Sequence, residues 1–230
     1  MSDDDIRKIK SNIFTSPIVL PKFNLIFFWS SKSGGTYWKR LFQFLQGIKK
    51  NNAHDPRRSG LIPLLAYYDA KDIKGMMLNS SLTKAVFVRE PRERILSSYL
   101  DKGTDKYFMR VMCRYIPKSF EDFLKIIRIC KNPHFEPQVQ ISNHLYKNMM
   151  LGKMSNIFEF TEKVMRKIGA WDNSVKLWFN SKSIDQTTRP HATNATNKLL
   201  YFYKNKDLQD QIFQIYSDDY EVFNFEKKYF

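Results

Sequence analysis

Only two cysteines, Cys113 and Cys130, occur in the 230 residues. That is too few for a disulfide framework, and their spacing is not the CxxC of a metal or redox motif. Both are expected to be ordinary buried thiols. No apolar run reaches the roughly 18 residues of a membrane span, and the start, Met1-Ser2-Asp3-Asp4-Asp5, is acidic where a signal peptide would be basic. These absences predict a soluble, cytoplasmic protein with no membrane span. A Gly-x4-Gly-Lys-Ser/Thr loop is also missing, which argues against a magnesium-dependent nucleotide kinase. There is no internal repeat and no low-complexity tract. Acidic side chains are scarce beside basic ones, 23 against 38, giving a net charge of +15. That balance favours anionic partners: nucleotides, sulfated or uronic-acid glycans, nucleic acid or acidic membranes. A nucleic-acid partner is not expected, because no RNP aromatic pair, helix-turn-helix signature or zinc spacing is present. A basic nucleic-acid-binding protein without enzymatic activity stays as the rival class on charge alone.

Hydrophobic residues make up 43% of the chain and aromatics 15%, enough for one folded α/β domain over residues 1–230 with 1–20 as a surface arm. A first strand is predicted from Asn24 to Trp29 and a helix from Thr36 to Ile48, with Trp38, Phe42 and Leu45 in the core. Between them Ser30-Ser31-Lys32-Ser33-Gly34-Gly35-Thr36-Tyr37 reads as a phosphate cradle: the glycines let backbone N–H groups turn inward and the helix aims its positive end at them. Short helices follow over Leu61–Leu78, with Asp69 as a cap. Ala85–Val88 reads as a second buried parallel strand, ending at Arg89-Glu90-Pro91, where Pro91 opens a helix carrying Ile95, Leu96 and Tyr99. Helices are predicted at Phe120–Ile129, Glu162–Ile168 and Asp207–Ser217, and a third strand at Asn156–Phe160. Arg89 at a strand end and Ser97 two turns into the next helix suit a second phosphate. Two strand–loop–helix units imply a P-loop-like domain with a central parallel sheet flanked by helices, its site at the carboxyl ends of the strands.

These two loops resemble the carbohydrate sulfotransferases of the chondroitin 4-sulfotransferase and HNK-1 type, which use 3′-phosphoadenosine 5′-phosphosulfate (PAPS). Lys32, Thr36, Trp38, Lys39 and Arg40 match the family's segment for the donor's 5′ end. Val88, Arg89, Pro91, Glu93, Arg94, Ser97 and Tyr99 match its 3′-phosphate segment. Ser119–Phe123, Pro133-His134-Phe135, Thr187-Thr188-Arg189 and Ile215–Phe223 are similar to later family segments. Gly34-Gly35 replaces the family's small residue and cysteine, and Phe135 its tryptophan. The family's disulfide cysteines beyond the His-Trp segment are absent, which fits folding in a reducing compartment.

The resemblance implies a PAPS-dependent sulfotransferase, without a metal, acting on the hydroxyl of a carbohydrate; a small-metabolite acceptor is the alternative. It implies donor contacts from Lys32, Ser33, Gly34, Gly35, Thr36, Tyr37, Arg89, Ser97, Arg189 and Thr193. Lys32 would neutralise the leaving phosphate, the plain alternative being a solvated loop lysine. A neutral histidine can take the acceptor proton. His54 is preferred as that base and His134 is the other candidate. For Arg89 the plain alternative is an ion pair at the helix start, since Arg92, Glu93 and Arg94 can pair locally.

Overall fold

The computed structural model describes the chain apart from residues 49–52, 54, 56–59, 61–63 and 185–192. Two compact units emerge. One comprises Met1–Val88 with Gln140–Gln186, the other Arg89–Val139 with Thr187–Phe230.

The first unit holds the sheet. Where a surface arm is predicted, the chain forms helix α1 (Asp3–Ser11) and strand β1 (Ile18–Leu20). Ser2 and Asp5 make a reciprocal capping box at the start of α1. The buried Asp5 carboxylate also accepts the Ser142 N–H at 2.7 Å and its hydroxyl at 2.8 Å. Burial would raise the Asp5 pKa, but the Ser2 and Ser142 donors outweigh it and hold the carboxyl at about 2. Strand β2 (Leu25–Trp29) pairs antiparallel with β1 and parallel with β3 (Thr83–Val88). Helix α2 (Gly35–Leu45) and helix α3 (Ala70–Leu78) lie between β2 and β3 in the chain. Asp69 caps α3 as expected, accepting the Asp72 N–H at 2.7 Å.

The last strand differs from expectation. It is β4 (Met150–Lys153), parallel to β3, and Asn156–Phe160 instead opens a helix over Ile157–Lys167. The apolar residues there follow a helical period, with Ile157, Phe160, Val164 and Met165 buried on one face. Gly152 is needed in β4, because a Cβ there would sit 2.2 Å from the Phe160 ring. The sheet order is β1-β2-β3-β4, so the parallel core β2-β3-β4 carries an antiparallel edge strand. Trp38 is the hub of the core, its ring centroid 4.5 Å from Phe27, 5.2 Å from Phe87 and 5.9 Å from Phe160. Truncating a buried aromatic of this kind costs about 3–5 kcal/mol. Phe42 is fully buried beside it and Leu45 packs on the same cluster.

The second unit is helical. In chain order it contains helix α4 (Pro91–Ser98), helix α5 (Lys106–Cys113) and helix α6 (Phe120–Ile126). The helix Ile157–Lys167 of the first unit is α7, and Asn173–Ile184, also in the first unit, is α8. The second unit then closes with α9 (Ala195–Phe202), α10 (Lys206–Ile215) and α11 (Ser217–Val222). Pro91 stands at the first position of α4, and Glu90 caps it by accepting the Glu93 N–H at 2.9 Å. Ile95, Leu96, Phe120, Phe123, Tyr203, Ile212 and Tyr216 form its core.

The cysteines are not buried thiols. Cys113 at the end of α5 and Cys130 after α6 form a disulfide, with Cα atoms 5.3 Å apart and a sequence separation of 17. The spacing carries no signal for this pairing, which the tertiary placement of the two cysteines creates. The argument from the cysteines for a reducing compartment therefore falls away. No described helix is long and apolar enough to cross a membrane.

Candidate active site

In the first unit, β2 ends at Trp29 and the chain turns through Ser30–Gly34 into α2. The Ser33 N–H donates to the Ser30 carbonyl at 3.3 Å, and the two serine hydroxyls lie 2.7 Å apart. Ser33 is fully buried, so its side chain shapes the turn. Lys32 sits at φ +67° and Gly34 at φ +74°. Glycine adopts that left-handed region freely, whereas for lysine it costs about 1–2 kcal/mol. The first helical bond is the Trp38 N–H to the Gly34 carbonyl at 3.3 Å. The N–H groups of Gly35, Thr36 and Tyr37 therefore precede the helical ladder, and Gly34 has no side chain to cap them. The 11-residue helix α2 thus directs the positive end of its dipole at the turn that holds Lys32.

Trp29 fixes that turn. Its indole N–H donates to the Ser16 carbonyl at 3.1 Å, and its own carbonyl accepts from the Gln140 side chain at 2.9 Å. A Cβ on Gly35 would lie 2.7 Å from the Trp29 ring, so only glycine lets α2 start there. The Lys39 ammonium, one turn on, stands over the same ring, and burial pulls its pKa down to about 8. Tyr37 turns its side chain into the core, where its hydroxyl donates to Thr161 at 3.0 Å.

In the second unit, Arg89 follows directly on β3. Its Nε donates to Glu93 Oε2 at 3.2 Å, the local ion pair foreseen as the plain alternative. The contact aims the guanidinium as well as pairing it. The Gln138 side chain clasps the Arg89 backbone, accepting its N–H at 2.9 Å and donating to its carbonyl at 2.8 Å. Ser97 is buried in α4, and Thr193 donates its hydroxyl to the Ser97 Oγ at 3.0 Å. Arg89, Ser97 and Thr193 are thus placed within this one unit, with Ser97 and Thr193 in contact. Arg92 and Arg94 are structural. Arg92 bonds Glu90 and Gln209 and stacks on Phe213 and Phe230, while Arg94 is fully buried and donates to the Pro133 carbonyl at 3.3 Å.

His134 lies in the second unit, its Nδ1 2.8 Å from Asn132 Oδ1 and its ring edge-on to Phe108. The Asn132 carbonyl oxygen also accepts the His134 backbone N–H at 3.1 Å. In the neutral ring, an acceptor at Nδ1 places the proton there and the lone pair on Nε2, the tautomer a general base requires. The preferred base, His54, and the donor contact Arg189 lie outside the described residues. Sequence reasoning missed Asn132 and Gln138 because their importance lies in hydrogen bonds to other residues. Among the described residues, no group of three His, Cys, Asp or Glu could hold a metal ion.

The Sulfotransferase family model matches residues 16–226. The chain belongs to this family and is a sulfotransferase. Both loops and His134 fall within the matched span. Carbohydrate sulfotransferase 11 of Rattus norvegicus is 24% identical over 259 residues, covering 95% of this chain and 69% of the relative. Carbohydrate sulfotransferase 10 of Xenopus laevis is 33% identical over 91 residues, covering 36% and 25%. Carbohydrate sulfotransferase 9 of Homo sapiens is 31% identical over 105 residues, covering 43% and 23%. No solved structure matches the sulfotransferase chain significantly. Its family membership displaces the reading as a basic nucleic-acid-binding protein.

Proposed function

We propose that this sulfotransferase moves a sulfuryl group from PAPS to a hydroxyl of a carbohydrate acceptor. The reading is carried by one observation: the turn at Lys32, left-handed and unfavourable for a lysine, stands at the N-terminus of α2 within the span matched by the Sulfotransferase family. The donor supplies sulfur already activated by its 5′-phosphate. Lys32 and the N–H groups of Gly35, Thr36 and Tyr37 take the charge of that phosphate, with Ser30 and Ser33 bracing the turn. Arg89, Ser97 and Thr193 take the 3′-phosphate.

In transfer, the acceptor oxygen bonds to sulfur as the bond between sulfur and the 5′-phosphate oxygen breaks. A histidine Nε2 accepts the hydroxyl proton, and Lys32 neutralises the departing phosphate oxygen. The Asn132 contact favours His134 for the proton, since it fixes the tautomer with Nε2 unprotonated. His54 is the competing candidate, and Arg189 a further donor contact. The carbohydrate acceptor rests on the similarity to carbohydrate sulfotransferases and on the net charge of +15, which suits an acidic glycan. Sulfate transfer from labelled PAPS to a panel of glycans, with and without EDTA, tests this function. Labelled glycan in both conditions is expected. Transfer to small hydroxyl compounds alone, or to nothing, would refute the carbohydrate reading.

A further inference from the structure

Beyond the residues proposed to bind phosphate, the second unit contains a buried hydrogen-bond chain that ends on Arg89. Strand β3 stops pairing at Val88, opposite Lys153. At Arg89 the ladder partner is replaced by a side chain: the Gln138 amide accepts the Arg89 N–H at 2.9 Å and donates to its carbonyl at 2.8 Å. An amide can satisfy both groups only in one orientation. Asp219, buried in α11, sets it. Asp219 Oδ2 accepts from Gln138 Nε2 at 3.2 Å, which leaves the amide oxygen facing the Arg89 N–H. Asp219 Oδ1 accepts the backbone N–H groups of Gln138 at 2.7 Å and Val139 at 3.0 Å, fixing the segment that carries the amide. The buried Arg94 guanidinium acts electrostatically on Asp219 and offsets its charge. A buried carboxylate that spends its oxygens on one glutamine and the next backbone N–H is costly unless that segment must be held.

We infer that Asp219 and Gln138 are positioning residues that hold the Arg89 backbone so that its guanidinium meets the 3′-phosphate. This rests on the assignment of Arg89 to that phosphate. The chain fixes Arg89 from the backbone side while Glu93 fixes the guanidinium from the other, through the 3.2 Å contact at Nε. Rigid placement of a binding group raises affinity by removing the cost of ordering it. The effect should fall on the 3′-phosphate and spare the rest of the nucleotide.

The test is calorimetric titration with adenosine 3′,5′-bisphosphate and with AMP, on the wild type, Gln138→Met and Asp219→Asn, each with its melting temperature. Wild-type protein that binds both nucleotides equally would overturn the Arg89 assignment itself. Given a wild-type preference for the bisphosphate, Gln138→Met is expected to cut that preference about tenfold while AMP affinity stays unchanged, the scale of one lost hydrogen bond to a charged group's support. A variant that melts lower yet keeps the full preference would show the chain to be structural only and overturn the inference. If Gln138→Met does not fold, Gln138→Glu serves. It retains an acceptor for the Arg89 N–H but loses the donor both to the Arg89 carbonyl and to Asp219, and the same loss of preference is expected.

Discussion

Lys39 holds its ammonium 3.8 Å above the centroid of the Trp29 ring. The indole face offsets part of the cost of burying a cation, but burial still pulls the lysine from 10.5 to about 8. Below pH 8 both the folded and unfolded chains carry this proton, and the folded state bears the full penalty. Between pH 8 and 10.5 the folded chain has released the proton while the unfolded chain keeps it, so this site gains stability as pH rises, by about 3 kcal/mol in total. Denaturant unfolding of wild type and Lys39→Met should therefore show an advantage for methionine at pH 7 that shrinks toward pH 10.5. A difference independent of pH would contradict the burial of a titrating Lys39.

Asp5 behaves in the opposite sense. Its folded pKa, about 2, lies below the ordinary 3.8 because Ser2 and Ser142 donors overcome its burial. The stability it contributes is whole above pH 4 and is lost as pH falls toward 2, about 2 kcal/mol over that window. Asp5→Asn should flatten the acid limb of the stability curve while lowering the neutral plateau, read by urea midpoints from pH 6 to pH 2.

The pairing of Asn132 with His134 Nδ1 makes a kinetic prediction. Asn132→Ala should lower kcat about tenfold to a hundredfold, within the range of general-base contributions, and leave donor binding unchanged. His134→Ala should lower it further. If His54→Ala is the more damaging change and Asn132→Ala has no effect, the proton goes to His54.

Reduction of Cys113–Cys130 should destabilise the second unit. Opening a closed loop of this length releases about 3 kcal/mol of chain entropy to the unfolded state. Urea unfolding with and without dithiothreitol measures the shift, and Cys113→Ser should reproduce it without reductant. Identical midpoints would mean that the bridge carries no stability.

How much of this could be read from sequence depended on whether the signal was local. Strand β2, its loop and α2 were legible because an apolar run, two glycines and a helical stripe follow in order. Strand β3, Arg89 and α4 were legible through Ala85–Val88 and Pro91. Strand β4 was not: Met150-Leu151-Gly152-Lys153 has neither alternation nor β-branched residues, and its place depends on the Phe160 ring against Gly152. The aromatic Asn156–Phe160 drew the strand assignment instead. Helix α1 is fixed through Asp5 and Ser142, 137 positions apart, and the disulfide joins Cys113 and Cys130 at a separation of 17, so neither leaves a local mark. Of the candidate site, Lys32, Arg89 and Ser97 are proposed from motif spacing. The direction of the Tyr37 side chain and the clasp of Gln138 on Arg89 are tertiary facts. Asp219 lay in a segment already matched to the family, but only its hydrogen bonds give it a role.

The most direct test of the central claim is calorimetric titration of the wild-type protein with adenosine 3′,5′-bisphosphate against AMP, repeated with Arg89→Ala and Lys32→Ala. The account predicts that tight binding requires the 3′-phosphate, that Arg89→Ala weakens bisphosphate binding by about 1.5–3 kcal/mol, the scale of charged hydrogen bonds, and that Lys32→Ala abolishes transfer in a parallel assay. Equal binding of the two nucleotides by the wild type, or wild-type affinity in Arg89→Ala, would contradict it.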